Sequence, residues 1–394
     1  MAERYEILVL NQISQAGLKR FPAEVYTLAK EIAQPDAILV RSADMHSLAI
    51  PESVKTIGRA GAGTNNIPVG AMSRRGVPVF NAPGANANAV KELVLAGMLI
   101  AARNLVPAVQ FVGGLHGDDA IMSQRIEDEK KRFAGIELPG HTLGVIGLGK
   151  IGSLVAGVAI RLGMQVLGYD PEITVDAAWS LPSQVKKAHS IDEVLKASNF
   201  VTVHVPLVEA TRGLVNGHNL AHVRAGTILL NFSRDGIVDE HAVLEALASH
   251  RLKNYVTDFP TAVLNGHPGV IALPHLGAST REAEENCAIM VVDQVREYLE
   301  HGNLQNAVNF PDVVMQRESP FRVAIANANV PNMVGQISTA MARAGLNIHN
   351  MLNKSKGEMA YTLVDIDSPV PPAVTDTIRR IEGVLAIRYL PLES

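Results

Sequence analysis

From His141 to Leu162 the chain reads HTLGVIGLGKIGSLVAGVAIRL. An apolar run, Thr142–Ile146, enters a turn spelled Gly147-x-Gly149-x-x-Gly152, and apolar residues at helical spacing follow from Lys150 to Leu162. The order strand, glycine turn, helix leaves few choices: it is the opening βα unit of a sheet whose strands run parallel. Each glycine has its own task. Gly147 permits the tight turn, Gly149 lets a bound group approach the backbone, and Gly152 lets helix and strand pack closely.

The free N–H groups at the start of such a helix attract phosphates. The next strand closes on LGYD, which puts Asp170 eighteen residues beyond Gly152. An acid there accepts hydrogen bonds from a ribose diol and repels a 2′-phosphate, so the expected cofactor is NAD rather than NADP.

The rest of the chain agrees with a doubly wound α/β reading. Strands are expected at Tyr5–Leu10, Ala37–Val40, Val54–Ile57 and Val77–Phe80, followed by an apolar helix from Lys91 to Ala102. A second set is expected at Thr142–Ile146, Gln165–Tyr169, Phe200–Val205, Thr227–Asn231, Tyr255–Thr257 and Val270–Leu273, six strands in all. Continuous apolar strands suit a parallel sheet covered on both faces. Past Thr280, residues Ala283, Cys287, Val291, Val295 and Leu299 form one apolar helix face, with Gly302 as its stop. Cys287 lies on that face and reads as core. Asn303–Pro320 reads as a polar linker. The tail then follows the order βαββαβ, a ferredoxin-like unit.

Composition removes whole classes of function. The chain has 394 residues, 47% hydrophobic and 19% charged, which is enough to bury two or three cores. A net charge of −4 argues against nucleic acid or an anionic membrane as the main partner. One cysteine allows no internal disulfide, and no apolar stretch is long enough for a membrane span, so the cytoplasm is expected.

Ligands of doubly wound sheets sit beyond the carboxyl ends of the strands. His204-Val205-Pro206, Ser233-Arg234 and His275 stand at three such ends. An arginine can grip a carboxylate with a planar fork, and a histidine can exchange a proton near neutral pH. With a nicotinamide cofactor, these two groups make a 2-hydroxy acid oxidation site.

The stretches IGRAGAGTNNI, FNAPGANANAVKELVLAGML, GVIGLGKIG, LLNFSRDGIVDEHAVLEAL and PHLGAST resemble the D-isomer-specific 2-hydroxyacid dehydrogenases, and the tail resembles an ACT regulatory domain. The resemblance spans nearly the whole chain. It implies a discontinuous flavodoxin-like substrate domain (residues 1–90 with 279–310), an inserted Rossmann NAD domain (91–278) and an ACT domain (320–394). It further implies oxidation of 3-phospho-D-glycerate at the entry to L-serine synthesis, by a homodimer or homotetramer.

Carried onto this sequence, the resemblance gives Arg234 the substrate carboxylate, assisted by the amides of Ala62 and Gly63. His275 takes the hydroxyl proton. Arg59 is implied for phosphate, with Arg74 and Lys130 as further candidates. Gly147, Gly149, Lys150, Ile151, Gly152, Asp170, His204, Val205, Pro206, Phe232, Ser233, Asp258 and Gly277 are implied for the cofactor. Asn327, Asn329, Asn347 and Ile348 are implied for an effector, with L-serine as the expected ligand. Two other readings stay open: a dehydrogenase of another small 2-hydroxy acid, and an NAD-sensing corepressor-like binding protein. One departure stands out. The family orients its histidine with a glutamate where this chain has Ala262, and the aspartate of the preceding strand falls on Thr257, with Asp258 one residue later. Asp258 and a backbone carbonyl or water are the alternatives for holding His275.

Overall fold

In the computed structural model, which describes residues 4–392, the first 86 residues build a five-stranded parallel sheet. Its strands are β1 (Tyr5–Val9), β2 (Tyr26–Ala29), β3 (Ala37–Val40), β4 (Thr56–Arg59) and β5 (Val79–Phe80), in the order β2-β1-β3-β4-β5. All four residues of β3 are buried, as continuous apolar strands require when both faces are covered. The helix Arg281–His301 covers one face. Its Cys287, Val291, Val295 and Leu299 share a cluster with Ile7, Leu39 and Phe80. Cys287 is therefore packing, as its place on the apolar face suggests. Gly58 lets the helix come close, because a Cβ there would stand 2.8 Å from Val291 and 2.9 Å from Val295.

Residues 87–280 form the second unit. Its sheet has seven parallel strands, not six: β6 (Thr142–Ile146), β7 (Gln165–Tyr169), β8 (Val185–Lys187), β9 (Phe200–Val203), β10 (Thr227–Asn231), β11 (Leu252–Thr257) and β12 (Val270–Ala272). The order is β12-β11-β10-β9-β6-β7-β8. The unexpected strand, β8, is a three-residue edge reading Val-Lys-Lys, too short and polar to show an apolar run. Among the described residues, no single helix is long and apolar enough to cross a membrane.

The tail folds as β13 (Phe321–Ala328), β14 (Ile348–Lys356), β15 (Met359–Ile366) and β16 (Val384–Pro391), with helices Met333–Arg343 and Pro372–Arg379. The antiparallel order β14-β15-β13-β16 is that of a ferredoxin-like split βαβ.

Here the packing departs from a tail set apart by a linker. Ala324, Ala326, Tyr361, Leu363 and Leu390 belong to the same apolar cluster as helix Arg281–His301 and the first sheet. The linker itself buries Leu304, Ala307, Phe310, Val313 and Met315. Residues 4–86 and 281–392 accordingly form one compact unit.

Helix-end chemistry explains the joint. The last carbonyls of a helix have no intrahelical partner. Arg388 donates to the carbonyls of Tyr298 (2.9 Å) and Leu299 (2.8 Å), Arg322 to that of His301 (3.1 Å), and Tyr361 to that of Gly302 (2.7 Å). Three residues of the tail thus cap the long helix. Arg322 has no exposed area and forks onto Asp365 through Nε (2.6 Å) and Nη2 (2.9 Å), a pair buried on both sides.

Candidate active site

Because every strand of the seven-stranded sheet runs the same way, all their carboxyl ends reach one rim. That rim carries the Gly147 loop after β6, Asp170 after β7, His204–Pro206 after β9, Phe232–Arg234 after β10, Asp258 after β11 and His275 after β12.

The glycine loop has the geometry that its three residues predict. Gly147 has φ +90°, and a Cβ there would lie 2.6 Å from the His204 carbonyl. At Gly152 a Cβ would lie 2.0 Å from the Gly147 carbonyl. At Gly149 it would meet nothing within 4 Å, which leaves an open approach at the N-cap of helix Lys150–Arg161. Lys150 is exposed beside it, while Ile151 packs inward. Asp170 accepts from Leu148 N–H (2.8 Å) and Glu172 N–H (3.0 Å), so it braces the loop from the next strand. An open helix start with an acid at the following strand end fits the phosphates and ribose of NAD.

The wall opposite is built by His204, Val205 and Pro206 after β9. The His204 residue keeps some exposed area, but its Nδ1 is buried without a partner and its Nε2 sits 2.9 Å from Thr202 Oγ1. Burial pushes its pKa down to about 3. The unfolded chain binds that proton near pH 6.5, so stability from the neutral ring is full above this value and is lost as pH falls toward 3. His204→Gln is expected to flatten this acid slope, which amounts to at most about 1.4 kcal/mol per pH unit, in a melting series against pH. Val205 leans on Gly147, and its carbonyl accepts the Ser233 hydroxyl. Pro206 is exposed on the rim. Phe232 is 4% exposed and packs on Gly97, so its side chain is core and only its backbone faces the rim.

The turn that presents Arg234 depends on a residue the sequence reading passed over. Asn231 is buried; its Oδ1 accepts from Ser233 N–H (3.1 Å), and its Nδ2 donates to the Arg234 carbonyl (3.0 Å). Arg234 itself is exposed, with Nη1 donating to the Ser233 carbonyl (2.7 Å). The signal was an asparagine ending an otherwise apolar strand, which marks a local turn-former.

His275 sits in the left-handed region at φ +50°, a strained backbone for a residue with a side chain. Asp258 holds it there together with the Leu273 carbonyl, which also accepts from His275 N–H (3.0 Å). The Asp258 carbonyl accepts from His275 N–H (2.9 Å), and its carboxylate Oδ2 accepts from Gly277 N–H (3.0 Å). The ring stands 5.0 Å from the Phe259 ring. The Asp258 carboxylate feels the charge of His275 but spends its hydrogen bond on Gly277 N–H; among the described residues no carboxylate is hydrogen-bonded to the ring, and Ala262 is exposed. Asp258 thus fixes the backbone around the histidine, not its tautomer. Burial raises the Asp258 pKa, while Gly277 N–H, His275 and Arg234 pull it back; Oδ1 has no partner.

Two candidates lie elsewhere. Lys130 pairs with Glu127 in a short 3-10 segment, Lys130–Phe133. The chain just after that segment is pinned to the far end of helix Ala87–Ala102, where Ile136 N–H meets the Ala102 carbonyl at 3.0 Å. The start of that helix packs by Gly277 on the rim, so Lys130 belongs to the other edge. In the first unit, Arg59 ends β4, and its Nε donates to the Arg41 carbonyl (3.1 Å). Ala62 and Gly63 follow in the same loop. Arg74 closes helix Val69–Arg74, which returns the chain to the start of β5, so it lies at the opposite end of the sheet from Arg59.

Residues 96–277 match the family profile described as "D-isomer specific 2-hydroxyacid dehydrogenase, NAD binding domain". The chain is 30% identical over 352 residues to the D-3-phosphoglycerate dehydrogenase of Escherichia coli K12, covering 86% of this chain and 82% of that one. The chain belongs to the D-isomer specific 2-hydroxyacid dehydrogenase family. It is 31% identical to the Haemophilus influenzae D-3-phosphoglycerate dehydrogenase, over 83% of this chain and 79% of that one. Relatives of the same name in Methanocaldococcus jannaschii and Synechocystis sp. are 34% identical but longer: the chain spans 63% and 59% of their lengths. A crystal structure of a Thermus thermophilus protein superposes with TM-score 0.63 at 26% identity, over 77% of this chain and 99% of that one.

Proposed function

We propose that this family member oxidises 3-phospho-D-glycerate to 3-phosphooxypyruvate with NAD, the entry step of L-serine synthesis. The observation that carries the reading is the pairing of Arg234 and His275 on the rim that also holds the glycine loop, in a chain whose relatives at 30% identity are named for this reaction. The Gly147–Gly152 loop and Asp170 hold NAD, which accepts a hydride when bound. Arg234 grips the substrate carboxylate with the amides of Ala62 and Gly63, and Arg59 takes the phosphate. His275 receives the hydroxyl proton as the C2 hydrogen leaves with its electron pair and the carbonyl forms. Strain at His275, held through Asp258, aims the ring without a carboxylate behind it.

Asp170 has two effects to lose. Asp170→Ala is expected to raise the KM for NAD, because Leu148 N–H loses its acceptor, and to narrow the preference over NADP. Initial rates with both cofactors decide this, and equal use of NAD and NADP by the unmodified chain would remove the role.

Two finer readings concern assembly and control. Helix Leu105–Gly113 buries none of its residues and exposes Leu105, Val106, Val109 and Val112, a surface suited to pairing two copies through the NAD unit. The tail is read as an ACT domain that senses L-serine. Asn327 and Asn329 stand where β13 ends, by the β14–β15 turn, whereas Asn347 and Ile348 open β14 at the sheet's other end. Asn347 donates to Asp367 (2.6 Å). One copy cannot close all four on a single amino acid, so the effector site requires two tails, and the exposed β14 edge is available for that. A second reading, an NAD-sensing binding protein, draws on the unpaired His275 ring. A steady-state assay with NAD against a panel of D-2-hydroxy acids, repeated with millimolar L-serine, tests all of this. Turnover selective for 3-phospho-D-glycerate supports the proposal, and NAD binding without turnover supports the second reading.

A further inference from the structure

We propose that Asn81 and Lys356 are positioning residues for the loop Arg59–Gly63, which ties the C-terminal sheet to substrate affinity. The inference rests on the reading that this loop binds the substrate anion. Its starting point is peptide geometry: in a trans peptide the carbonyl and the following N–H point in opposite directions. Ala82 N–H donates to the Gly61 carbonyl (3.0 Å), and Asn81 Nδ2 donates to the Ala62 carbonyl (2.5 Å). Tying those two carbonyls to residues 81 and 82 turns the next two amides, Ala62 N–H and Gly63 N–H, the other way. Those are the amides assigned to the carboxylate. On the loop's other side, Gly61 at φ +156° leaves room for the Arg59 guanidinium, which a Cβ would meet at 1.8 Å.

Asn81 directly follows β5, a two-residue edge strand that needs outside support. The support is the segment after the long helix. Val308 N–H donates to the Val79 carbonyl (2.9 Å), Asn309 Oδ1 accepts from Val79 N–H (2.9 Å), and Phe80 bridges Ala307. The carbonyls of Ala307 and Val308 in turn accept from Lys356 Nζ at 3.2 and 3.1 Å. Lys356 ends β14, and the Asn329 side chain holds the adjoining turn through the Gly357 carbonyl (3.0 Å). An open pocket of about 420 Å³ lies against this junction, lined by Asn81, Asn306, Ala307, Val308, Asp312 and Lys356. The junction therefore has space to shift when Lys356 lets go, and the string from the β14 turn to Ala62 is continuous within one unit.

The test compares Lys356→Met, Lys356→Arg and Asn81→Ala with the unmodified full chain. Losing one such hydrogen-bonded tether is expected to raise the KM for 3-phospho-D-glycerate about fivefold, with kcat within about twofold and NAD affinity unchanged. Lys356→Arg should restore most of the loss. A merely structural role would lower kcat, NAD affinity and thermal stability together. An unchanged KM in both Lys356→Met and Asn81→Ala, or a joint fall of all three quantities, overturns the proposal. If the unmodified chain turns over no 2-hydroxy acid, the activity reading fails on its own. Calorimetric binding of oxalate to the NAD-loaded protein then decides the positioning claim, with the same weakening of about fivefold expected in Lys356→Met.

Discussion

Replacing His275 with alanine is expected to lower kcat by about 10²–10⁴-fold while NAD binding stays near its original strength. In the proposed mechanism the ring accepts the hydroxyl proton, and nothing in the glycine loop depends on it. Arg234→Ala is expected to act on the other parameter. Removing a charged fork to a carboxylate should raise the substrate KM about ten- to a hundredfold, with a smaller effect on kcat. Steady-state kinetics together with an NAD titration separates the two. A His275→Ala protein that keeps its kcat would show that another group takes the proton.

A second large effect is expected in stability. Arg322→Met leaves Asp365 ionised and buried, and frees the carbonyls of His301 and Gln316 that the guanidinium now satisfies. Breaking one side of a buried ion pair costs about 3–5 kcal/mol. Denaturant unfolding should show this as a lowered midpoint, and the double variant Arg322→Met with Asp365→Leu should recover much of it. A loss below about 1 kcal/mol would mean that the tail is not anchored through this pair.

The parts of the fold legible in the sequence were those specified locally. Gly147, Gly149 and Gly152 each meet a different local demand, and the strands around them are continuous apolar runs. Asp170 is marked by the close of its strand on LGYD, eighteen residues beyond Gly152. What escaped was set by tertiary packing. β2 and β8 are short edge strands whose patterns give little alternation. The stretch 303–320 looked like a polar linker because its apolar residues are isolated in sequence, yet Leu304, Phe310 and Val313 have no exposed area. Arg322 and Asp365 each sit in an otherwise apolar strand, and nothing in the sequence marks two charges 43 residues apart as a buried pair. Arg74 and Lys130 were basic residues in the right part of the sequence, but the return direction of a helix decides which edge a side chain reaches.

Asp258 shows the same limit at the site. Its shift by one position suggested a new partner for the His275 ring; the structure gives it the His275 and Gly277 amides instead. A backbone that holds its residue at φ +50° orients the side chain by conformation, and no pattern of residue types announces that.

The fate of deuterium placed on C2 of 3-phospho-D-glycerate tests the central claim most directly. Hydride transfer with His275 taking only the hydroxyl proton predicts that the label passes to C4 of the reduced nicotinamide, with none released to water and one equivalent of 3-phosphooxypyruvate formed. Label released to water, or bound NAD that stays oxidised in the presence of saturating substrate, would contradict it.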